Sequence, residues 1–325
     1  MRAAVINESH GFDIVDVPDP APGRDEVLLR VGACGICGSD LKAAANMRVG
    51  LVMGHEFAGE IVAVGRDADG WREGESVCAL PLIGCGACLP CLTGDVAHCA
   101  RVDMIGVGGS SGAYAEFIRV SARETFALPV GTPADVGALV EPLAVGLHAV
   151  ERAALRPGDN VLVVGAGPVG LAVALWARHL GAREIAVSDP VEHRRLAAGT
   201  FGATAAVDPS AGIGGPYDVV FECVGVPGMI GECIAAAKVH GRVVVVGVCT
   251  KPDPIVPVIA LMKELTMHFV VYYRRQDFAY TVAMLRDERI NAAPMITDHV
   301  DLDAFPAAFE ALKSPTTQRK VLVHP

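Results

Sequence analysis

The stretch "NVLVVGAGPVGLAVALWA", from Asn160 to Ala177, constrains the fold more than any other part of the chain. A short apolar, β-branched run stops at Gly165, Gly167 and Gly170 and gives way at once to a helical apolar segment. That pattern predicts a buried parallel strand, a tight turn and a crossover helix. The first glycine allows the turn, the second lets a pyrophosphate approach the backbone, and the third lets the helix lie against the strand. Pro168 and Val169 complete the turn that would face the phosphates. Asp189 ends the next apolar run, "EIAVSD", where a carboxylate can accept from the adenosine ribose hydroxyls. This predicts NAD rather than NADP, although Arg194 and Arg195 follow closely. The uncharged segment Val161–Ala177 imitates a membrane span, but it holds three glycines and a proline and is short for one.

Around that unit the chain changes character. With 325 residues it suits two domains. Before it, "EVLLRVGACG", "FAGEIVAVG" and "AYAEFIRV" read as short strands. From Pro157 onward, strands alternate with helical segments, the signature of a parallel sheet. The end of the chain adds a helix, "LDAFPAAFEALKS", and a strand, "KVLVHP". A formal charge of −10 and the lack of a basic run argue against nucleic acid. The N-terminus shows no apolar export segment, so the expected location is the cytoplasm.

Cys85, Cys88, Cys91 and Cys99 crowd into fifteen positions of a chain with ten cysteines. Four thiolates at this spacing can close a tetrahedral zinc site that leaves no open position. In a reducing compartment that reading is favoured over a disulfide or redox loop. Other metal-ligating types lie elsewhere: Cys37 in "CGICGSD", His55-Glu56 in "GHEFAGE" and Glu141 in "VEPLAVG". Singly, each has an ordinary alternative as a buried thiol, a satisfied histidine or a helix-end carboxylate. Together they supply the mixed Cys/His/carboxylate set a catalytic zinc requires.

The succession "CGICGSD", "GHEFAGEIVAVG", the cysteine lobe, "EPLAVGLHA" and "VLVVGAGPVG" resembles the zinc-dependent medium-chain alcohol dehydrogenases, over essentially the whole chain. The resemblance implies an α/β protein with a GroES-like β-rich catalytic domain at 1–144 and 291–325 and a Rossmann domain at 145–290, with the active-site cleft between them. It implies two zinc ions per chain. Cys37, His55 and Glu141 would hold the catalytic one, and Cys85, Cys88, Cys91 and Cys99 the structural one. Glu141 in place of the commoner cysteine looks like the polyol, butanediol and threonine dehydrogenase branches. Glu56 would approach the metal and exchange with its water, Asp40 would orient His55, and Ser39 would take the substrate's proton. Where many relatives carry a relay histidine this chain has Lys42, which puts the outer proton route in question. Val224, Gly225 and Gly247, at strand ends, are expected near the nicotinamide, though strand-end turns would look the same.

The activity implied is reversible oxidation of a small-molecule alcohol, a secondary alcohol or vicinal diol, to a ketone or aldehyde with NAD. A polyol or amino-alcohol dehydrogenase is the near alternative. A zinc-free reductase and a non-catalytic zinc-stabilised nucleotide or redox sensor are the remoter ones. No membrane is expected as a partner, and the family implies a homodimer or homotetramer. Only seventeen residues separate Cys37 from His55, and that short segment could be either an apolar cleft wall or ordinary packing.

Overall fold

A computed structural model describes residues 1–314 and 316–325. The chain forms two compact units, Met1–Glu141 with Arg274–Pro325, and Pro142–Tyr273. Both crossings fall earlier than the expected 144/145 and 290/291. The first crossing lies inside the helix Val140–Arg152, which belongs by its packing to the second unit from Pro142 onward. Gly146 of this helix lies so close to Ala172 that a Cβ on it would stand 2.7 Å from the alanine methyl. Trp176 donates its indole N–H to the Leu143 carbonyl at 2.8 Å. The return crossing is early because the helix Arg275–Arg286 is anchored in the first unit. Its Phe278 stacks on Phe126 with centroids 5.2 Å apart, and the Arg275 guanidinium lies 4.9 Å above the same Phe126 ring.

The second unit is a six-stranded parallel sheet. Its spatial order is Ala205–Val207, Glu184–Ser188, Asn160–Val164, Tyr217–Glu222, Ala237–Val245 and Thr266–Phe269. In chain order this is 3-2-1-4-5-6, the doubly wound Rossmann arrangement. The central strands carry continuous buried apolar runs, such as Val161–Val164 and Val219–Phe221, because helices cover both faces of such a sheet. The order reverses beside Asn160–Val164, so the glycine turn that ends this strand sits at the topological switch point.

The first unit is built on a seven-stranded, mostly antiparallel sheet. Ile296–Asp301, Lys320–His324, Glu26–Gly35, Glu56–Val64, Ser76–Ala79 and Thr125–Ala127 follow one another in space, and Phe117–Ser121 pairs with Glu26–Gly35. The carboxy-terminal strand Lys320–His324 thus lies next to the strand that leads to Cys37. In the unit's main apolar cluster Phe12, Tyr114, Phe305 and Phe309 meet, with Phe12–Phe309 centroids 4.7 Å apart. Among the described residues no helix is long and apolar enough to cross a membrane.

Candidate active site and metal centres

Three side chains converge in the first unit. Cys37 caps the short helix Gly38–Ala43, and its sulfur accepts from the Ser39 amide at 3.5 Å and the Ser39 hydroxyl at 3.1 Å. His55 and Glu56 stand at the start of the strand Glu56–Val64, both buried. One donor atom each from Cys37, His55 and Glu56 lies within 4.8 Å of the others. Asp40, fully buried on the same helix, faces His55 Nδ1 with its Oδ1 at 3.2 Å. With Nδ1 facing Asp40, Nε2 of the imidazole is left as the nitrogen for a metal. Burial alone would push the His55 pKa down, but the charges of Asp40 and Cys37 hold it well above the ordinary histidine value. A half-buried thiol and carboxylates around one imidazole form a mixed sulfur, nitrogen and oxygen donor set whose chemistry fits zinc.

Two partners in this region are invisible to motif reading. Tyr114 donates its hydroxyl to the other Asp40 oxygen at 2.6 Å, which anchors the carboxylate while its Oδ1 faces His55. Lys320, from the last strand, is buried and donates to Glu56 at 2.5 Å and to the Ile36 carbonyl at 3.2 Å. Burial would lower the ammonium's pKa, yet Glu56, Cys37 and Glu141 raise it above the usual lysine value. Gly35 makes this pair possible, since a Cβ there would stand 2.1 Å from the Glu56 carboxylate. Both partners approach from far along the chain, and their only sequence signal was a charged or hydroxylated residue within an apolar run.

Glu141 is the remaining expected ligand. It is buried in the first turn of its helix and contributes to the field on Lys320, but the donor atoms grouped with Cys37 and His55 include that of Glu56 and not that of Glu141. The physical reason is position. Glu56 adjoins His55 on one strand, whereas Glu141 is carried at the end of a helix that crosses to the other unit. Ser39 is half-buried beside the Cys37 sulfur, and Lys42 is exposed in the last turn of the same helix. In the short segment before His55, Ala44, Leu51, Val52 and Met53 pack into the core, while Val49 is exposed.

The second donor set is the cysteine lobe. One sulfur each from Cys85, Cys88, Cys91 and Cys99 lies within 4.8 Å of the others. Cys88–Cys91 and Cys85–Cys91 are 3.5 and 3.9 Å apart. Four thiolates at 2.3 Å from zinc would be about 3.8 Å apart, so the lobe has the size of a closed tetrahedral site. Backbone amides of Ala87 and Cys88 lower the Cys85 pKa to about 5, and those of Cys85 and Arg101 lower that of Cys99. Such amides stabilise thiolates, the form that binds metal. All ten cysteines are unpaired. His98 turns instead to Asp95 at 2.8 Å.

In the second unit the glycine turn has the predicted form. Gly165 takes φ +101° and Gly167 caps the helix Pro168–His179. A Cβ on Gly170 would lie 1.9 Å from the Gly165 carbonyl, so the helix can approach the strand only because that residue is glycine. A Cβ on Gly167 would meet no atom within 4 Å, which leaves open space at the helix N-terminus, where a pyrophosphate would lie. Pro168 and Val169 open that helix. Asp189 is buried and accepts from the Ala166 amide at 2.9 Å and the Val191 amide at 2.8 Å, so it also holds the glycine turn in shape. Arg195 is engaged by the Asp189 and Pro190 carbonyls and by Asp208, and Arg194 is half-buried beside it. At the later strand ends, the Val224 and Gly225 amides both donate to Glu222 Oε1 at 2.8 Å, and the Gly247 amide donates to the Glu222 carbonyl at 2.9 Å. Glu222, a buried carboxylate with no motif of its own, organises all three positions.

Known proteins share this organisation. Residues 23–130 match the alcohol dehydrogenase GroES-like domain, and residues 168–287 match the zinc-binding dehydrogenase domain. The chain is 31% identical to sorbitol dehydrogenase of Bacillus subtilis over 100% of its own length and 97% of that protein's. The chain belongs to the zinc-dependent medium-chain alcohol dehydrogenase family. The dehydrogenase is also 32% identical to L-threonine 3-dehydrogenase of Streptomyces coelicolor, over 95% of each chain. A zinc-binding dehydrogenase of Sinorhizobium meliloti solved with NADP superposes with a TM-score of 0.91 at 30% identity, covering 100% of this chain and 99% of that one. The dehydrogenase is a zinc-dependent alcohol oxidoreductase that uses a nicotinamide cofactor.

Proposed function

We propose that the dehydrogenase reversibly oxidises a secondary alcohol or vicinal diol to the ketone, with NAD as the preferred acceptor. The observation that carries this reading is the convergence of half-buried Cys37 with buried His55 and Asp40, with the Ser39 hydroxyl 3.1 Å from the Cys37 sulfur. Cys37, His55 and Glu141 would hold the catalytic zinc, and Glu56 is the carboxylate that would approach it and exchange with its water. Its ion pair with Lys320 supports that secondary role, since it compensates the Glu56 charge without a metal. Cys85, Cys88, Cys91 and Cys99 hold a second, structural zinc. Bound zinc supplies a Lewis acid that makes an alcohol hydroxyl more acidic, and bound NAD supplies the hydride acceptor.

The chain's own groups do the rest. Asp40, fixed by Tyr114, holds His55 in one tautomer and keeps its orientation. Ser39 accepts the proton of the substrate hydroxyl, and Lys42, three residues on and exposed, is the candidate to pass it to solvent in place of water or the cofactor ribose. Val224, Gly225 and Gly247 bound the nicotinamide. Gly165, Gly167, Pro168, Val169 and Gly170 bound the pyrophosphate. Asp189 receives the ribose hydroxyls and disfavours the extra phosphate of NADP. The threonine hydroxyl is secondary and sorbitol carries adjacent secondary hydroxyls, so the two relatives support this substrate class, with a polyol or amino-alcohol as the specific alternative.

The ten unpaired cysteines suit a reducing compartment, and the cytoplasm is the proposed location. Exposed Val258, Leu261 and Met262 on the helix Pro257–Met262, with Val256 at its N-cap and Phe269 on the edge strand Thr266–Phe269, support self-association through the Rossmann sheet into a homodimer or homotetramer. The deciding experiment is NADH formation across primary, cyclic and secondary alcohols, vicinal diols, sugar alcohols and threonine. Secondary alcohols or diols should lead with NAD preferred to NADP, and Ser39→Ala should lower kcat about 10²–10⁴-fold. Preference for primary alcohols, or an unchanged Ser39→Ala variant, would contradict the reading.

A further inference from the structure

A third group of metal-ligating side chains lies in the first unit, apart from both sites above. Asp135 is on the helix Ala134–Ala138, His299 on the strand Ile296–Asp301 and His324 on the strand Lys320–His324. His299 Nδ1 is 3.0 Å from His324 Nε2, Asp135 Oδ1 is 3.5 Å from His324 Nε2, and Asp135 Oδ2 is 3.7 Å from His299 Nδ1. Donor atoms held at 2.0–2.2 Å from a tetrahedral zinc are about 3.4 Å apart; here the imidazole nitrogens are 3.0 Å apart, each has an Asp135 oxygen within 3.7 Å, and one donor atom from each residue lies within 4.8 Å of the others. The two carboxylate distances are too long for good hydrogen bonds, so a hydrogen-bonded triad does not account for the arrangement.

The tautomer of His324 is settled by its other nitrogen. Nδ1 lies 2.9 Å from the Gly32 carbonyl, which can only accept, so Nδ1 carries the proton and Nε2 offers its lone pair to the cluster. A ligand imidazole whose other nitrogen donates to a backbone carbonyl is the arrangement metal sites use to fix orientation. The side chains of His299, His324 and Asp135 are 51%, 38% and 30% exposed, so a fourth position is open to water and an ion can enter from solvent. We propose that Asp135, His299 and His324 form a binding site for a divalent first-row transition ion, with zinc the occupant best suited to two imidazoles and a carboxylate. Binding would shift the His299 proton from Nδ1 to Nε2 and would tie two strands to one helix.

Zinc chloride titrated calorimetrically into the desalted, zinc-replete enzyme at pH 7.5 tests this. The expected result is one further zinc per chain, bound at least tenfold more weakly in His299→Ala and in Asp135→Asn, and bound normally in Cys37→Ser. Because His299 and Asp135 are partly exposed, both variants should keep the parent's circular dichroism spectrum and specific activity. A zinc-induced rise in Tm should be seen in the parent and lost in His299→Ala, since binding to the folded form alone stabilises it. No further zinc per chain, or equal affinity in His299→Ala and the parent, would overturn the proposal. So would loss of the extra site in Cys37→Ser.

Discussion

Lys320 is the residue on which the charge balance around Glu56 depends. It is buried, its carboxylate partner is buried, and removing the ammonium leaves an uncompensated negative charge in the core. Lys320→Met should therefore lose about 3–5 kcal/mol in urea unfolding, the usual cost of breaking a buried pair from one side. Lys320→Met combined with Glu56→Gln should recover part of that loss, and strict additivity of the two would contradict a direct pairing. Lys320 and Tyr114 also show where single-residue reading stops. Cys37, His55 and Asp40 were legible because each sits in a short motif whose neighbours have roles. Lys320 lies 264 positions from Glu56, and Tyr114 lies 74 from Asp40, so no local spacing connects them.

At the scale of elements, spacing was the most readable signal, because strand, glycine turn and helix are contiguous in sequence. The same contiguity made the cysteine lobe legible, with the short helix Leu89–Leu92 between Cys88 and Cys99 bringing the sulfurs together. What the elements add is how strands are tied at their ends. Asp218 accepts from the Asn160 amide at 2.9 Å and from Lys238, joining the first parallel strand to its neighbours. Burial pushes its pKa up, but Lys238 and the amide outweigh this and hold it below the ordinary carboxylate value. A carboxylate with a lowered folded pKa stabilises the fold above its unfolded pKa, and that contribution disappears as pH falls through the folded value. A plot of Tm against pH should thus fall less steeply on the acid side for Asp218→Asn than for the parent. An unchanged acid limb would show that this tie contributes nothing.

For the whole molecule, the two-part organisation could be read from the change of pattern near Pro157, but the crossings could not. The helix Val140–Arg152 begins with a carboxylate of one unit and continues as packing for the other, and the helix Arg275–Arg286 is held by Phe126 and Arg123, remote in sequence. Periodicity reports that a helix exists and not which core receives it. On the proposed reading each unit carries one requirement of the chemistry, the thiol–imidazole–carboxylate set in the first and the glycine turn in the second. Disabling either should abolish turnover while sparing the other's ligand. Cys37→Ser should still bind NADH by fluorescence titration, and Gly167→Asp should keep the parent's zinc content but lose NADH binding. Loss of both properties in either variant would contradict that division.

The most direct test of a zinc-dependent alcohol oxidation is to follow NADH formation on the best alcohol while zinc is removed and returned. Bound metal should be measured on the same samples. Activity should fall in step with the zinc lost from the Cys37–His55 site and return when zinc is added back. Full activity in protein shown to hold no zinc would contradict it.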